Sequence, residues 1–360
     1  MLSSLPFSLM FLVIMVTGTL FSVSSIHWLA IWSGLEINLI GFLPVLVYGK
    51  KISESESAVK YFIIQAMGSS MLIFGSLIIY TSTFSWEMVN SGVMGIIGGF
   101  ITLISGLFIK LGLFPFHYWL PSVMAGLSWL SCLLLTTWQK VAPLYLMVCL
   151  MELNQSYEVF LILCMIGAGS SVMGGLGGLN QTQVRALLAY SSIGHLGWIV
   201  FAIVHSEWVM KMYFAVYVMV SVCIFMSLWY KDSGMAKDLD NLSEHNFLQL
   251  GVVVLLLSLG GLPPMLGFIS KLIVILVGAP KSYLFLMVMV IGSVMSLFYY
   301  LGLFFSMSLS WFKKYELTDM QLSNNALIPL TIMFNLVGGL LILSSNMFNS
   351  LYALVIFYQP

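Results

Sequence analysis

Long apolar runs, broken by short polar turns, set the pattern of this 360-residue chain. A run of about 20 apolar residues is enough to cross a bilayer as a helix. Eleven such segments are legible, at roughly 5–23, 26–48, 58–81, 91–118, 122–150, 158–176, 182–204, 207–230, 247–279, 282–309 and 326–345. A short apolar tail runs on to Pro360. The fifth and ninth segments exceed the length a bilayer requires, which implies tilt or a break. The longest polar stretch, Lys231 to Asn246, mixes both signs and reads as a loop or surface helix. The predicted fold is all-α: a polytopic membrane protein of about eleven transmembrane helices.

Composition agrees with the pattern. Sixty per cent of residues are hydrophobic, 7 per cent are charged, and mean hydropathy is +1.04. A water-soluble fold cannot hide that much apolar surface. Net charge is zero and no basic cluster exceeds two residues, so nucleic acid is not an expected partner. The four cysteines, Cys132, Cys149, Cys164 and Cys223, lie in apolar stretches without metal or cluster spacing. No phosphate-cradling glycine motif is present. The first residues carry neither a basic n-region nor an arginine-rich presequence and read as a retained span.

Charge asymmetry orients the spans. With eleven crossings, the loops on the N-terminal side carry Lys50, Lys51, Lys60, Arg185, Lys231, Lys237, Lys313 and Lys314. The other side carries Lys211 and Lys281. The positive-inside rule then places the N-terminus in the compartment of synthesis and the C-terminus opposite.

Four charges sit deep in apolar sequence: Glu36, Lys110, Lys140 and Lys271. Each costs about 2.5–3.5 kcal/mol at a span centre. Such groups persist facing a bundle interior, a partner charge or water. The bland alternatives are snorkelling lysines and a protonated, hydrogen-bonded glutamate. Apolar burial drives titratable groups towards their neutral forms. A lysine so poised can take up and release protons, and an approaching carboxylate holds it charged. Three lysines to one glutamate argues against a metal-cation pore, which favours acids or carbonyls. His195 lies mid-span beside Tyr190, Ser191 and Ser192, and His117 follows Pro115. Each reads either as a proton carrier or as a packed, hydrogen-bonded residue. His27, His205 and His245 show no metal spacing.

Prolines mark helix breaks. Pro115 follows Lys110 in span four, and Pro263 and Pro264 precede Lys271 in span nine. Pro143 follows Lys140. Spans one to ten divide into two sets of five, each with an interrupted fourth helix. An odd number of spans per set inverts one set relative to the other, a transporter signature. The predicted organisation is one transmembrane domain: repeat one at about 5–150, repeat two at about 158–309, and a final helix and tail at about 326–360.

On these residues the chain resembles the antiporter-like membrane subunits of respiratory complex I. The matching stretches are WSGLEINLIGFLP, ESAVKYFIIQA, KLGLFPFHYWLP, TWQKVAPL, GGLNQTQVRALLAYSSIGHLGW and SLGGLPPMLGFISK, in order across residues 32–271. Bacterial members have fourteen spans and animal versions lack the first three, which fits eleven. The resemblance implies a proton relay in which Glu36 pairs with Lys110, Lys140 is central and Lys271 lies near the exit. It suggests His195 and Lys60 as supporting residues, although Lys60 and Arg185, at span starts, also suit interface anchors. Many relatives carry Arg-Lys where this chain has Arg185-Ala186, a change at the matrix edge. The implied function is proton translocation driven by quinone reduction elsewhere in NADH:ubiquinone oxidoreductase. NADH, FMN, iron–sulfur clusters and ubiquinone would be bound by other subunits, with no cofactor or metal in this chain. Expected partners are neighbouring membrane-arm subunits, including antiporter-like ones, and lipid. The expected site is the mitochondrial inner membrane, N-terminus on the matrix side and C-terminus on the intermembrane-space side. A monovalent cation/proton antiporter subunit and a non-pumping structural subunit are the alternatives.

Overall fold

The computed structural model describes residues 7–87, 96–153, 156–231 and 246–315, together with Asn335. Among these residues every regular element is a helix; the sole extended pairing is an isolated bridge between His27 and Glu87. The eleventh apolar segment, apart from Asn335, the tail and most of the polar stretch 231–246 lie outside the described residues.

Contacts divide the chain into two compact units, Met1–Leu163 and Cys164–Pro360. The first holds α1 (Ser8–Ser24), α2 (Trp28–Leu46), α3 (Ile52–Thr83), α4 (Ile96–Leu111), α5 (Trp119–Gly126), α6 (Trp129–Thr136) and α7 (Trp138–Leu153). The helix α8 (Tyr157–Gly178) runs across the boundary into the second unit. That unit continues with α9 (Val184–His205), α10 (Glu207–Lys231), α11 (Asn246–Gly260), α12 (Leu266–Gly278) and α13 (Tyr283–Tyr315). Among the described residues, seven helical stretches are long and apolar enough to cross a membrane. Large side chains on their outer faces, such as Ile63, Leu284 and Phe298, are exposed, as expected where lipid is the solvent. The chain is a multi-pass membrane protein.

Small residues set the helix spacing. A Cβ at Gly34 on α2 would meet the backbone of Ser22 on α1 at 2.6 Å. A Cβ at Gly75 on α3 would meet the backbone of Leu103 on α4 at 2.8 Å. In the second unit, one at Gly292 on α13 would meet Ser171 on α8 at 2.7 Å. With no hydrophobic drive between helices in lipid, such close backbone packing supplies the cohesion.

Among the described residues, both units contain a helix broken in the same way at a glycine. α4 ends at Leu111, and Gly112 adopts φ +74. α11 ends at Gly260, and Gly261 adopts φ +85. Only glycine takes this left-handed conformation without a Cβ penalty. The N–H groups of Gly112 and Leu113 both reach back to the Phe108 carbonyl, as those of Gly261 and Leu262 reach back to Leu257. Pro115 lies in the first break, with a cis peptide bond to Phe114, and Pro263 and Pro264 lie in the second. The breaks expected in the fourth and ninth segments are therefore present. Their extent corrects one boundary. The fourth segment leaves helix at Gly112 and resumes as α5, so the fifth begins at Trp129 rather than near 122. Hydropathy does not distinguish an apolar turn from an apolar helix. The length of the fifth segment reflects a step at Thr137 between α6 and α7. The third helix starts at Ile52, six residues before its apolar run, because the polar stretch carrying Glu54 and Ser57 is already helical and buries both residues.

A buried lysine pair and a capped helix break

In the first unit, the penultimate residue of α4 is Lys110, 8 % exposed. Lys140, 2 % exposed, is the third residue of α7. Both line one small buried cavity, with Asn38 from α2, Tyr61 and Gln65 from α3, and Gln139 from α7. The space admits a water molecule, and its polar walls offer that water partners. The helix ends are held for this purpose. Gln65 Nε2 donates to the Lys110 carbonyl at 3.3 Å, and Trp119 Nε1 donates to the Ile109 carbonyl at 3.1 Å. These bonds satisfy carbonyls that α4 frees on ending. Pro143 lines the same cavity inside α7 and has no N–H for the carbonyl four residues earlier, that of Gln139.

Glu36 is half-buried on α2 beside, not within, this lining. Its Oε1 is buried without a hydrogen-bond partner. Its neighbour Leu35 and, two residues on, Asn38 both line the cavity. Among the described residues, no ion pair joins Glu36 to Lys110.

In the second unit, Lys271 is the sixth residue of α12 and 7 % exposed. Its Nζ donates to the Gly260 carbonyl at 2.9 Å and to the Leu259 carbonyl at 3.4 Å. The ammonium caps the C-terminal end of α11, the negative end of a helix dipole. The other side of the break is capped by Asn335, whose Oδ1 accepts from the Leu266 N–H at 3.2 Å. Lys271 shares a second small cavity with His195, Ser171, Ser191, Tyr299 and Tyr300. His195 is buried, and its Nδ1 is 2.9 Å from the Tyr213 hydroxyl.

The structure therefore brings Lys110 and Lys140 together in one unit, and His195 and Lys271 together in the other. Lys60 lies on an exposed face of α3, apart from either lining. His117 is buried at the first break against Tyr118, outside both cavities. Sequence reasoning missed Asn38, Tyr61, Gln65 and Gln139 in the first cavity and Tyr213, Tyr299 and Tyr300 around the second. Gln139 adjoins Lys140, and Tyr61 and Gln65 are four apart on one helix face, so a search for polar neighbours of the buried charges finds them. Among the described residues, no three His, Cys, Asp or Glu side chains gather as a metal site.

The profile of a family described as NADH:quinone oxidoreductase/Mrp antiporter, transmembrane, matches residues 25–296. NADH-ubiquinone oxidoreductase chain 2 of Lumbricus terrestris is 37% identical over 321 residues, 88% of this chain and 92% of that protein. The same chain of Anopheles gambiae is 37% identical over 343 residues, 93% and 96% of the two. A chain of the respiratory complex I of Thermus thermophilus, solved with bound aureothin, superposes with a TM-score of 0.78 at 24% identity, covering 94% of this chain and 78% of that one. By matched length and identity, this chain belongs to the NADH:quinone oxidoreductase/Mrp antiporter membrane family and, within it, stands with the NADH-ubiquinone oxidoreductase chain 2 proteins.

Proposed function

We propose that this chain is a proton-translocating membrane-arm subunit of NADH:ubiquinone oxidoreductase, working through a buried relay of Glu36, Lys110, Lys140, His195 and Lys271. The observation that carries the reading is the buried cavity that Lys110 and Lys140 share, with Glu36 half-buried beside its lining. Two ammonium groups in one polar cavity repel a metal cation and each other. Losing a proton from one of them relieves the repulsion. A change in the position or charge of Glu36 alters how firmly Lys110 holds its proton, and the Lys140 amine in the same cavity is the acceptor. Lys271 and His195 form the corresponding polar site of the second unit. Moving a proton against the membrane potential costs about 2.3 kcal/mol per 100 mV, so the relay needs an energy input. That input is quinone reduction elsewhere in the assembly. NADH, FMN, iron–sulfur clusters and ubiquinone belong to other subunits in this reading. The partners are neighbouring membrane-arm subunits and lipid. The location is the mitochondrial inner membrane, with the N-terminus in the matrix and the C-terminus in the intermembrane space. The two sets of spans, about 5–150 and 158–309, act as inverted repeats within one transmembrane domain. The repeated order of three continuous helices, a broken helix and a further helix supports this.

The test pairs Glu36→Gln with Lys110→Met in the assembled complex, sealed in vesicles. Proton uptake and NADH oxidation are measured together. Assembly at the parental level with a large loss of coupled proton movement supports the relay. Parental rates in both variants assign the buried charges to structure instead.

A further inference from the structure

An uncharged cluster lines the cavity beside the central lysine. Asn38 Nδ2 donates to Gln139 Oε1 at 2.8 Å, and Gln139 Nε2 donates back to Asn38 Oδ1 at 3.1 Å. The reciprocal pattern fixes both amides, because turning either one alone would set donor against donor. The Tyr61 hydroxyl is a third member, donating to Gln139 Oε1 at 3.5 Å. Asn38 and Tyr61 are 4 % and 2 % exposed, and all three residues line the cavity that holds Lys110 and Lys140. Neither amide is needed to satisfy a helix end.

We infer that Tyr61, Gln139 and Asn38 are positioning residues of the relay: a neutral hydrogen-bonded link that fixes the cavity water at Lys140 and ties its placement to the state of Glu36. The inference rests on the proton-relay reading above. Amides do not take up protons near neutral pH, so the pair stores none. What it does is orient. After the mutual bonds, each amide keeps one N–H, and Asn38 Oδ1 keeps one lone pair. A cavity water bonded to those N–H groups directs its hydrogens away from them and towards a basic amine. Gln139 adjoins Lys140 on α7, so holding one holds the backbone that carries the other.

Tyr61 gives the link two settings. Its hydroxyl is a rotor with one hydrogen, and the bond to Gln139 is long at 3.5 Å. Glu36 adjoins Leu35, which lines the same cavity as Tyr61. With Glu36 ionised, the hydroxyl hydrogen is drawn towards the carboxylate and Gln139 loses a donor. With Glu36 neutral, the hydroxyl returns to Gln139 and the amide pair is fully held. The titratable groups around the link are Glu36, Tyr61, Lys110 and Lys140.

The experiment uses the assembled complex in sealed vesicles. Protons moved per NADH oxidised are measured from pH 6 to 9 for Asn38→Leu, Gln139→Leu, the double variant and Tyr61→Phe. Tyr61→Phe removes only one oxygen and keeps the ring packing. Each single change lowers coupled proton transfer about three- to tenfold, the rate equivalent of one neutral hydrogen bond. The double variant loses no more than the worse single one, because the pair acts as a unit. The exchange Asn38→Gln with Gln139→Asn restores most of the yield, and Tyr61→Phe flattens the pH profile. Additive losses, or a Tyr61→Phe profile equal to the parent's, overturn the inference. Lys140→Met, run alongside, separates the two levels. If it abolishes coupled transfer while the amide variants stay parental, the relay stands and the positioning role falls. If it too stays parental, both fall.

Discussion

Lys271 has two separable tasks, and one substitution keeps the first while removing the second. As a cap, its ammonium holds the Gly260 and Leu259 carbonyls at 2.9 and 3.4 Å. As a relay member, it must release a proton. Arginine keeps a permanent positive charge and several donors but does not deprotonate in proteins. Methionine keeps the stem and loses everything else. The 2.9 Å bond has good geometry and a charged donor, which makes it worth about 2 kcal/mol; the 3.4 Å bond adds little. Lys271→Met therefore weakens the second unit by about 2 kcal/mol, because carbonyls freed at the break stay buried without a donor. Lys271→Arg keeps most of that, reaching the same carbonyls beside the cavity that adjoins them. The assay has two arms on the purified complex: the thermal midpoint, and proton uptake per NADH in vesicles. The expected result is a lowered midpoint for Met, a near-parental midpoint for Arg, and lost coupled transfer for both. Parental pumping by Lys271→Arg would refute the relay role. A parental midpoint for Lys271→Met would refute the cap.

Three further outcomes follow from the same geometry. Tyr213→Phe removes the hydroxyl 2.9 Å from His195 Nδ1, and coupled proton transfer should fall several-fold while uncoupled NADH oxidation holds; no change in yield removes His195 from the path. Gly75→Val forces a side chain against the α4 backbone, where even a Cβ would lie 2.8 Å from Leu103 N, so the amount of assembled complex on a native gel should drop sharply. Lys60→Met changes an exposed residue of α3 and should leave proton yield at the parental value; a large loss there would add Lys60 to the relay.

Much of the architecture was written in the spacing of apolar runs. The first ten segments each coincide with a helix or an interrupted pair, and both breaks fall beside the prolines that announced them. That worked because a span has a required length and the cost of a buried charge is large. Segment ends were less legible: Pro115 announces a break, but the positive φ of Gly112, three residues earlier, fixes where α4 stops. The lysines stood out as charges in the wrong solvent. Their grouping did not, since Lys110 and Lys140 are brought to one cavity by the packing of α4 against α7. The amides and tyrosines were quieter still. Asn38 and Gln139 are 101 positions apart, and nothing in either local sequence pairs them.

The central claim is that protons pass through Lys140. The most direct measurement is protons taken up per NADH oxidised by sealed vesicles carrying the assembled complex with Lys140→Met. The cavity that Lys140 shares with Lys110 predicts near-complete loss of coupled proton movement through this subunit, with the complex assembled at the parental level. A proton yield and a turnover rate both equal to the parent's would contradict it.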